Sequence, residues 1–215
     1  QVALILTHDE LDVFLQLDEE YQRVAFMRAF WRARDPFPET ARNELLEAVE
    51  GGAESADDRF GDANDDRSRW MSLHGAPTRT FTARCDVLRP LEIWHYRESL
   101  LVRAEYYLVF IRYGARYRLW SPPEGLLVLM DRYSGFDEQA AAASIREQCS
   151  QSDQIFEALA LSLDWERFAE QTPLLRRSNP EWAQSFLASS TDLPDSAAAL
   201  SGQMTVDYPG RYRSR

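Results

Sequence analysis

The chain has 215 residues, a net charge of −11 and 45% apolar residues. This length supports one hydrophobic core, or one domain with part of a second, and the apolar content excludes a disordered chain. The acidic balance disfavours nucleic acid as a partner, because its phosphates would be repelled. No apolar run approaches the roughly 20 residues of a membrane-spanning helix, so we expect no transmembrane segment.

The basic residues are all arginine: there are 24 of them, and the sequence contains no lysine. Chemistry that needs a lysine, such as Schiff-base formation or a P-loop, is therefore excluded. Charge is segregated, with nine acids against one arginine in residues 44–66 and ten arginines against four acids in residues 67–120. The acidic segment either lies near the basic one and neutralises it, or leaves a phosphate-binding surface.

The sequence contains two cysteines, Cys85 and Cys149, which are too few for a disulfide framework. They form either one bridge in an oxidising compartment or two buried thiols. The first residues lack the charged segment and the long apolar segment of a signal peptide.

Helical patterns occupy the first sixty residues. Thr7 and Glu10 form a capping box that begins a helix. A second helix follows and ends near Asp35, because the DPFP sequence places two prolines where a helix cannot continue. A third helix is predicted over residues 39–60, weakened by two consecutive glycines at its centre.

Strand patterns follow, rich in aromatic and β-branched residues. The predicted strands are RWMSL (69–73), LEIWHY (91–96), EYYLVFIRY (105–113) and RYRLW (116–120). The last two form a hairpin, because Gly114 and Ala115 supply a tight turn between them.

Helical patterns return after the SPPEG sequence that follows the last strand. The predicted helices cover residues 137–149, 152–170 and 180–188. The final 25 residues are rich in Ser, Ala and Asp, which is typical of a linker, and end in a strand-like pattern that stops abruptly. We therefore expect the chain to be a fragment of a longer polypeptide.

Together these elements predict an α+β fold, in which N-terminal helices pack on a small, mainly antiparallel sheet and a C-terminal helical extension follows. The expected domains are an α+β domain over residues 1–121, a helical extension over 122–190, and a linker with the start of a truncated β module over 191–215.

Several motifs in this order resemble the GWxTD domain family of bacterial proteins. They are a helix ending in FWRARDPFP, the pair NE, an acidic loop with DRSR, a Gly-x-Pro and the strand EIWHY. The matched residues are Phe30, Trp31, Arg34, Asp35, Pro36, Pro38, Asn43, Glu44, Asp66, Arg67, Arg69, Gly75, Pro77, Glu92, Ile93, Trp94 and Tyr96. The Gly, Trp and Thr of the eponymous motif fall on Asp62, Ala63 and Asp65, so only its aspartate is kept.

This resemblance covers a little over half of the chain and implies context rather than chemistry. Members of the family are exported or envelope-associated and are often followed by a β-sandwich. The resemblance therefore implies a GWxTD-like domain in a periplasmic or secreted protein, and it implies no established activity.

The acidic loop FGDANDDRSRW raises the question of a metal site. Asp62, Asn64 and Asp66 occupy positions 1, 3 and 5 of a calcium-binding loop, where oxygen ligands are required. Position 6 should be glycine but is Arg67, and position 12 should be glutamate but is Leu73. We therefore expect a loop that is either solvated or paired with arginines, with no metal and no cofactor.

Hydrolytic chemistry is the alternative to a binding role. Asp66 in the acidic loop and His74 at a predicted strand end are the candidate catalytic residues of a carboxylate and histidine hydrolase, with or without a metal ion. Such an enzyme requires the two side chains to converge in a pocket. Cys85 and His95 are a further conceivable nucleophile and base, but a core role for Cys85 is the simpler interpretation.

Aromatic residues crowd the predicted sheet. They cannot all face one core, because successive side chains of a strand point to opposite faces. We expect one face to pack on helices and the other to present Tyr, Trp and Arg to a partner, unless C-terminal helices cover it. The predicted partner-binding residues are Trp94, Tyr96, Tyr107, Tyr113, Trp120 and Arg112.

These observations favour a non-enzymatic protein-interaction or scaffolding module of a larger exported bacterial protein. Its expected partner is another protein or a second copy of the chain. The alternative is the hydrolase described above, acting on an unidentified substrate.

Overall fold

The computed structural model describes residues 5–62, 65–131, 137–172, 175 and 180–190. The helices are α1 (His8–Gln16), α2 (Glu20–Ala33), α3 (Glu44–Phe60), α4 (Asp66–His74), α5 (Glu138–Gln148), α6 (Ser152–Ala160), α7 (Trp165–Gln171) and α8 (Pro180–Ser190). The strands are β1 (Arg79–Ala83), β2 (Leu91–Tyr96), β3 (Tyr106–Tyr113) and β4 (Arg116–Trp120). The fold is α+β, as predicted. None of the described helices is both long enough and apolar enough to span a membrane.

Two compact units make up the described chain, and they do not follow the expected boundary at residue 121. The smaller unit combines residues 6–34 with α8, and the larger unit contains the sheet and α3 to α7. The region expected as one helical extension, 122–190, is therefore divided between the units. The expected linker and β module at 191–215 lie outside the described residues.

The smaller unit is helical, and its interior contains packed aromatic rings and one buried ion pair. The Thr7 capping box is confirmed: the Glu10 backbone N–H donates to the Thr7 hydroxyl at 3.3 Å, and the Glu10 carboxylate accepts from the Thr7 backbone N–H at 2.9 Å. The Phe26 ring packs on Phe186 of α8, with centroids 5.3 Å apart. Arg34 and Glu10 form a buried ion pair of 2.8 Å. The helix pair predicted before DPFP is thus observed, with α2 ending at Ala33.

The larger unit is built on a four-stranded antiparallel sheet in the order β1-β2-β3-β4. The predicted hairpin is confirmed, and Gly114 makes its turn with a φ of 62°, a conformation that favours glycine. Each strand therefore neighbours the next in sequence, and β1 and β4 lie at the two edges.

The prediction of a first strand at residues 69–73 is wrong, because these residues belong to α4. Asp65 caps this helix by accepting a hydrogen bond from the Arg67 backbone N–H, and Gly75 ends it with a φ of 75°. The observed first strand is β1, with the sequence RTFTA, which the sequence analysis missed.

Two other helices differ from their predicted bounds for local reasons. Helix α3 begins at Glu44 rather than residue 39, because the Asn43 side chain caps it through the Leu46 backbone N–H. The helix predicted over 152–170 is divided into α6 and α7. Between them, the Leu161 carbonyl and the Leu163 N–H pair with the backbone of Tyr107 in β3.

Helices cover both faces of the sheet. Phe60 of α3 stacks on Trp94, and His74 of α4 packs on Tyr96, so we name this side the α3–α4 face. The other side packs on α5 and α6, and we name it the α5–α6 face. Its buried cluster includes Leu91, Ile93, Val109, Ile111, Trp120, Ala141, Ile145, Ile155 and Ala158.

Cys85 and Cys149 form a disulfide, with Cα atoms 5.3 Å apart. This decides between the two alternatives that the sequence left open. The bridge joins the loop after β1 to the end of α5, and so fastens one helical layer to the sheet.

Candidate functional site

The acidic loop closes one edge of the sheet. An Asp65 carboxylate oxygen accepts the backbone N–H of Tyr117 at 3.2 Å, and an Asp66 carboxylate oxygen accepts that of Leu119 at 2.9 Å. Both donors belong to β4, an edge strand whose outward N–H groups would otherwise be available to another chain. The loop therefore has a structural role as the cap of this edge.

Arg67 joins this cap to the interior of the sheet. Its guanidinium donates to Asp65 at 2.9 Å and to Glu92 at 2.7 Å, and lies 3.8 Å from the centre of the Tyr117 ring. Burial alone would lower the pKa of Arg67, but the hydrogen bonds that its guanidinium donates to Asp65 and Glu92 outweigh burial and raise this pKa above its ordinary value. Arg67, at the position where calcium-binding loops have glycine, is thus a stable cation. It binds carboxylate oxygens of Asp65 and Glu92.

The candidate metal ligands do not gather around a common point. Asp62 forms an ion pair of 3.0 Å with Arg116, and Asp66 binds the β4 backbone and lies 3.8 Å from Arg69. Asn64 lies outside the described residues. Within the part of the chain that the structure describes, no group of three or more His, Cys, Asp or Glu side chains is placed to hold a metal ion.

Neutralisation of the basic segment by the acidic segment is confirmed for the loop but not for α3. The loop acids pair with arginines of α4 and β4, as the ion pairs above show. The exposed carboxylates Glu50, Glu54 and Asp57 on α3 form no ion pair with any described residue.

His74 is buried among aromatic rings rather than placed in a cleft. Its Nδ1 lies 2.8 Å from the Tyr106 hydroxyl, and its ring stacks on Trp70 with a centroid distance of 5.3 Å. Burial lowers the pKa of His74 to about 3, so the imidazole is neutral at physiological pH. It is a core residue with a hydrogen bond to Tyr106.

The convergence of Asp66 and His74 that the hydrolase alternative requires is not observed. They are the first and last residues of α4, and eight residues of helical rise separate them by about 12 Å. The Asp66 carboxylate is bound to β4, whereas His74 faces the aromatic core. The described geometry therefore offers this pair no shared reacting position.

The expectation of one exposed aromatic face on the sheet is also wrong. Four of the six predicted partner-binding residues are buried, and they lie on both faces. Trp94 and Tyr96 pack under α3 and α4, and Tyr107 and Trp120 belong to the core cluster under α5 and α6. The physical reason is that both faces are apolar enough to need a helical layer, which the chain itself supplies.

The other two predicted residues, Tyr113 and Arg112, are exposed beside the β3–β4 turn. Tyr113 is 42% exposed and lies directly opposite Arg116 in the strand register. Arg112 donates from Nε to the Gly114 carbonyl at 2.9 Å and, by strand alternation, points to the other face.

Two guanidinium groups lie close to the ring of Tyr113. The Cζ atoms of Arg89 and Arg118 lie 4.9 Å and 5.6 Å from its centroid. We name these three residues the Tyr113 patch. Arg118 also binds Glu124 at 2.6 Å. Burial alone would lower the pKa of Arg118, but the hydrogen bonds that its guanidinium donates to Glu124 and Tyr113 outweigh burial and raise this pKa.

Arg89 differs from Arg118 in having no carboxylate beside it among the described residues. No described acid forms an ion pair with it, and its buried Nε atom forms no hydrogen bond with any described group. Among the described residues, the Tyr113 ring is the group that stabilises its positive charge. No described carboxylate occupies its two terminal amino groups, which are the donors left for an incoming anion.

Sequence reasoning missed the two arginines of the Tyr113 patch. Alternation in RYRLW places Arg118 on the face of Tyr113, so this signal was present in the sequence. Arg89 precedes β2, and only the tertiary structure brings it to the end of the β3–β4 hairpin.

Comparisons with known proteins give no match: no family model, no curated protein and no solved structure matches this chain. The resemblance to the GWxTD domain family therefore stays a prediction.

Proposed function

We propose that the chain is a non-enzymatic protein-interaction module of a larger exported bacterial protein, and that it binds acidic segments of a partner protein through the Tyr113 patch. The observation that carries this proposal is an exposed tyrosine ring with two guanidinium groups within 6 Å of its centre, one of which has no carboxylate partner among the described residues. Tyrosine and arginine are the residue types most enriched at the energetic centres of protein interfaces.

The chemistry of the patch favours a carboxylate ligand. Arg89 presents donors in a planar fork that fits a carboxylate bidentately. The half-exposed Tyr113 ring supplies apolar area next to that fork, which an isolated surface arginine lacks. An acidic side chain with an apolar neighbour would therefore contact both groups at once.

Two observations support an exported location. The Cys85–Cys149 disulfide is typical of proteins that fold in an oxidising compartment. The motif resemblance, from FWRARDPFP to EIWHY, also points to a family of exported or envelope-associated proteins.

Binding of a synthetic peptide rich in Asp and Glu, followed by fluorescence anisotropy, tests the proposal. We expect Arg89→Gln and Tyr113→Ala each to weaken binding by about tenfold, because each removes one of the two groups that would contact the acidic segment. Higher salt should weaken binding by the unaltered chain, since the interaction is between charges near the surface.

Arg103→Gln is the control for the loss of one positive charge, because Arg103 is exposed but lies in the loop before β3, at the far end of that strand from the hairpin. A glutamine-rich peptide of the same length controls for charge. Equal binding of the acidic and glutamine-rich peptides, or equal loss from Arg89→Gln and Arg103→Gln, would overturn the assignment.

A further inference from the structure

The two edges of the sheet differ in whether their outward backbone groups are hydrogen-bonded. On the β4 side, carboxylates of Asp65 and Asp66 bind the outward backbone N–H groups. Next to β4, residues 161–163 continue the edge by pairing with β3 at Tyr107. No described side chain or backbone group is hydrogen-bonded to the outer side of β1, which pairs with β2 alone.

Strand β1 also lacks two of the features that often protect an edge strand, a bulge and a proline. It runs in continuous register with β2 over all five residues, without a bulge and without proline. Arg79, Thr80 and Thr82 are exposed, and Phe81 is half-buried at the rim of the α5–α6 core. This edge is therefore a regular template for another strand.

The sequence of β1, RTFTA, is complementary to itself in the antiparallel direction. Pairing about Phe81 sets Thr80 opposite Thr82 of the second copy, and the two phenylalanines opposite each other. Cross-strand threonine pairs and aromatic pairs are favourable in antiparallel sheets. Arg79 falls opposite Ala83 of the second copy, so no like charges meet.

We propose that two copies of the chain pair through β1, antiparallel and centred on Phe81, to form one continuous sheet across a twofold axis. A twofold interface uses the same surface of both copies, so this contact closes both open edges at once and limits the assembly to a dimer. Tyr113 and Arg118 of the Tyr113 patch lie on β3 and β4, and Arg89 lies in the loop between β1 and β2. The β1 contact therefore uses none of the residues proposed for peptide binding.

Sedimentation velocity over a range of chain concentrations tests the dimer. We expect the unaltered chain to show a monomer–dimer equilibrium. Thr80→Lys/Thr82→Lys sets two lysine pairs across the twofold axis and should weaken the dimer by about tenfold or more. Thr80→Glu/Thr82→Lys sets opposite charges across the same positions and should restore it.

Rescue by the second variant is specific to the register centred on Phe81, because a shifted or parallel pairing does not match these charges. Circular dichroism checks that both variants fold. A chain that stays monomeric at every concentration would overturn the proposal, as would a lysine variant that dimerises as well as the unaltered chain.

A cross-link gives a second readout that does not depend on affinity. Residues directly opposite each other in an antiparallel pair have Cα atoms about 4.5 to 5.5 Å apart, within disulfide range. Phe81→Cys should therefore form a covalent dimer on oxidation, whereas Leu161→Cys, at an exposed position away from β1, should not. Equal cross-linking of the two variants would exclude the β1 interface.

Discussion

His74 is a neutral imidazole enclosed by aromatic side chains. Its Nδ1 is hydrogen-bonded to the Tyr106 hydroxyl, while Nε2 is buried and has no hydrogen-bond partner among the residues that the structure describes. Trp165 packs edge-to-face on the same ring, with centroids 5.4 Å apart. Protonation would place an unsolvated cation in this aromatic core, which explains the direction of its pKa shift.

This burial predicts a loss of stability in acid. The pKa of His74 is about 3 in the folded chain against 6.5 in the unfolded chain, so the unfolded state binds the proton more readily. The contribution of the neutral His74 to the free energy of unfolding is therefore fully present above pH 6.5. It is lost progressively as the pH decreases from 6.5 towards 3. At pH 5 we expect this one group to lower the free energy of unfolding by about 2 kcal/mol.

Urea unfolding at pH 7 and at pH 5 measures the effect. His74→Gln keeps a hydrogen-bonding side chain but removes the titration, so its stability should change less between the two pH values. Every other ionisable group is present in both proteins, so its contribution cancels in the comparison. An identical pH dependence in the two proteins would exclude His74 as the source.

At the scale of elements, helix α3 packs against α4 through a glycine. A Cβ atom at Gly52 would lie 2.5 Å from the Ser72 carbonyl oxygen and 2.8 Å from that of Met71, both in the α4 backbone. The neighbouring Gly51 has no atom within 4 Å of the same position. The two glycines were expected only to weaken α3. One of them, Gly52, allows the backbones of α3 and α4 to approach each other closely.

Alanine substitutions should separate these two roles. We expect Gly52→Ala to destabilise the fold by about 1–3 kcal/mol, because α3 and α4 must move apart. Gly51→Ala should stabilise it by about 0.5–1 kcal/mol, because alanine is the better helix former and the space is open. Thermal unfolding of both variants measures the difference, and a stabilising Gly52→Ala would contradict the close approach.

At the scale of the whole molecule, the larger unit is a sheet enclosed between two helical layers. The α3–α4 layer is attached through the cap on β4, and the α5–α6 layer through an apolar cluster and the Cys85–Cys149 disulfide. The bridge closes a loop between residues separated by 64 positions, which restricts the unfolded chain strongly.

Removing the disulfide should therefore lower stability. In the chain-entropy model, a loop of this length contributes about 4 kcal/mol, so we expect Cys85→Ala/Cys149→Ala to lose about 2–4 kcal/mol in denaturant unfolding. The unaltered chain measured with a reductant separates loss of the cross-link from loss of cysteine packing. A reduced chain as stable as the oxidised one would show that the bridge does not constrain the unfolded state.

The sequence by itself determined the features that depend on neighbouring residues. The capping box at Thr7, the end of α2 before DPFP, the glycine turn of the hairpin and strands β2 to β4 were all predicted. Their signals are local, because a cap, a proline or an alternation of apolar residues acts within a few positions.

Tertiary structure decided the remaining features. RWMSL is too short for its period to distinguish helix from strand, and it became helical because Asp65 caps it and α3 packs on it. The exposure of the aromatic residues was set by the helices that cover each face of the sheet. The Tyr113 patch formed because the fold places Arg89 next to a hairpin that is distant in the sequence. These outcomes come from contacts between residues far apart in the chain, for which a single sequence carries no local signal.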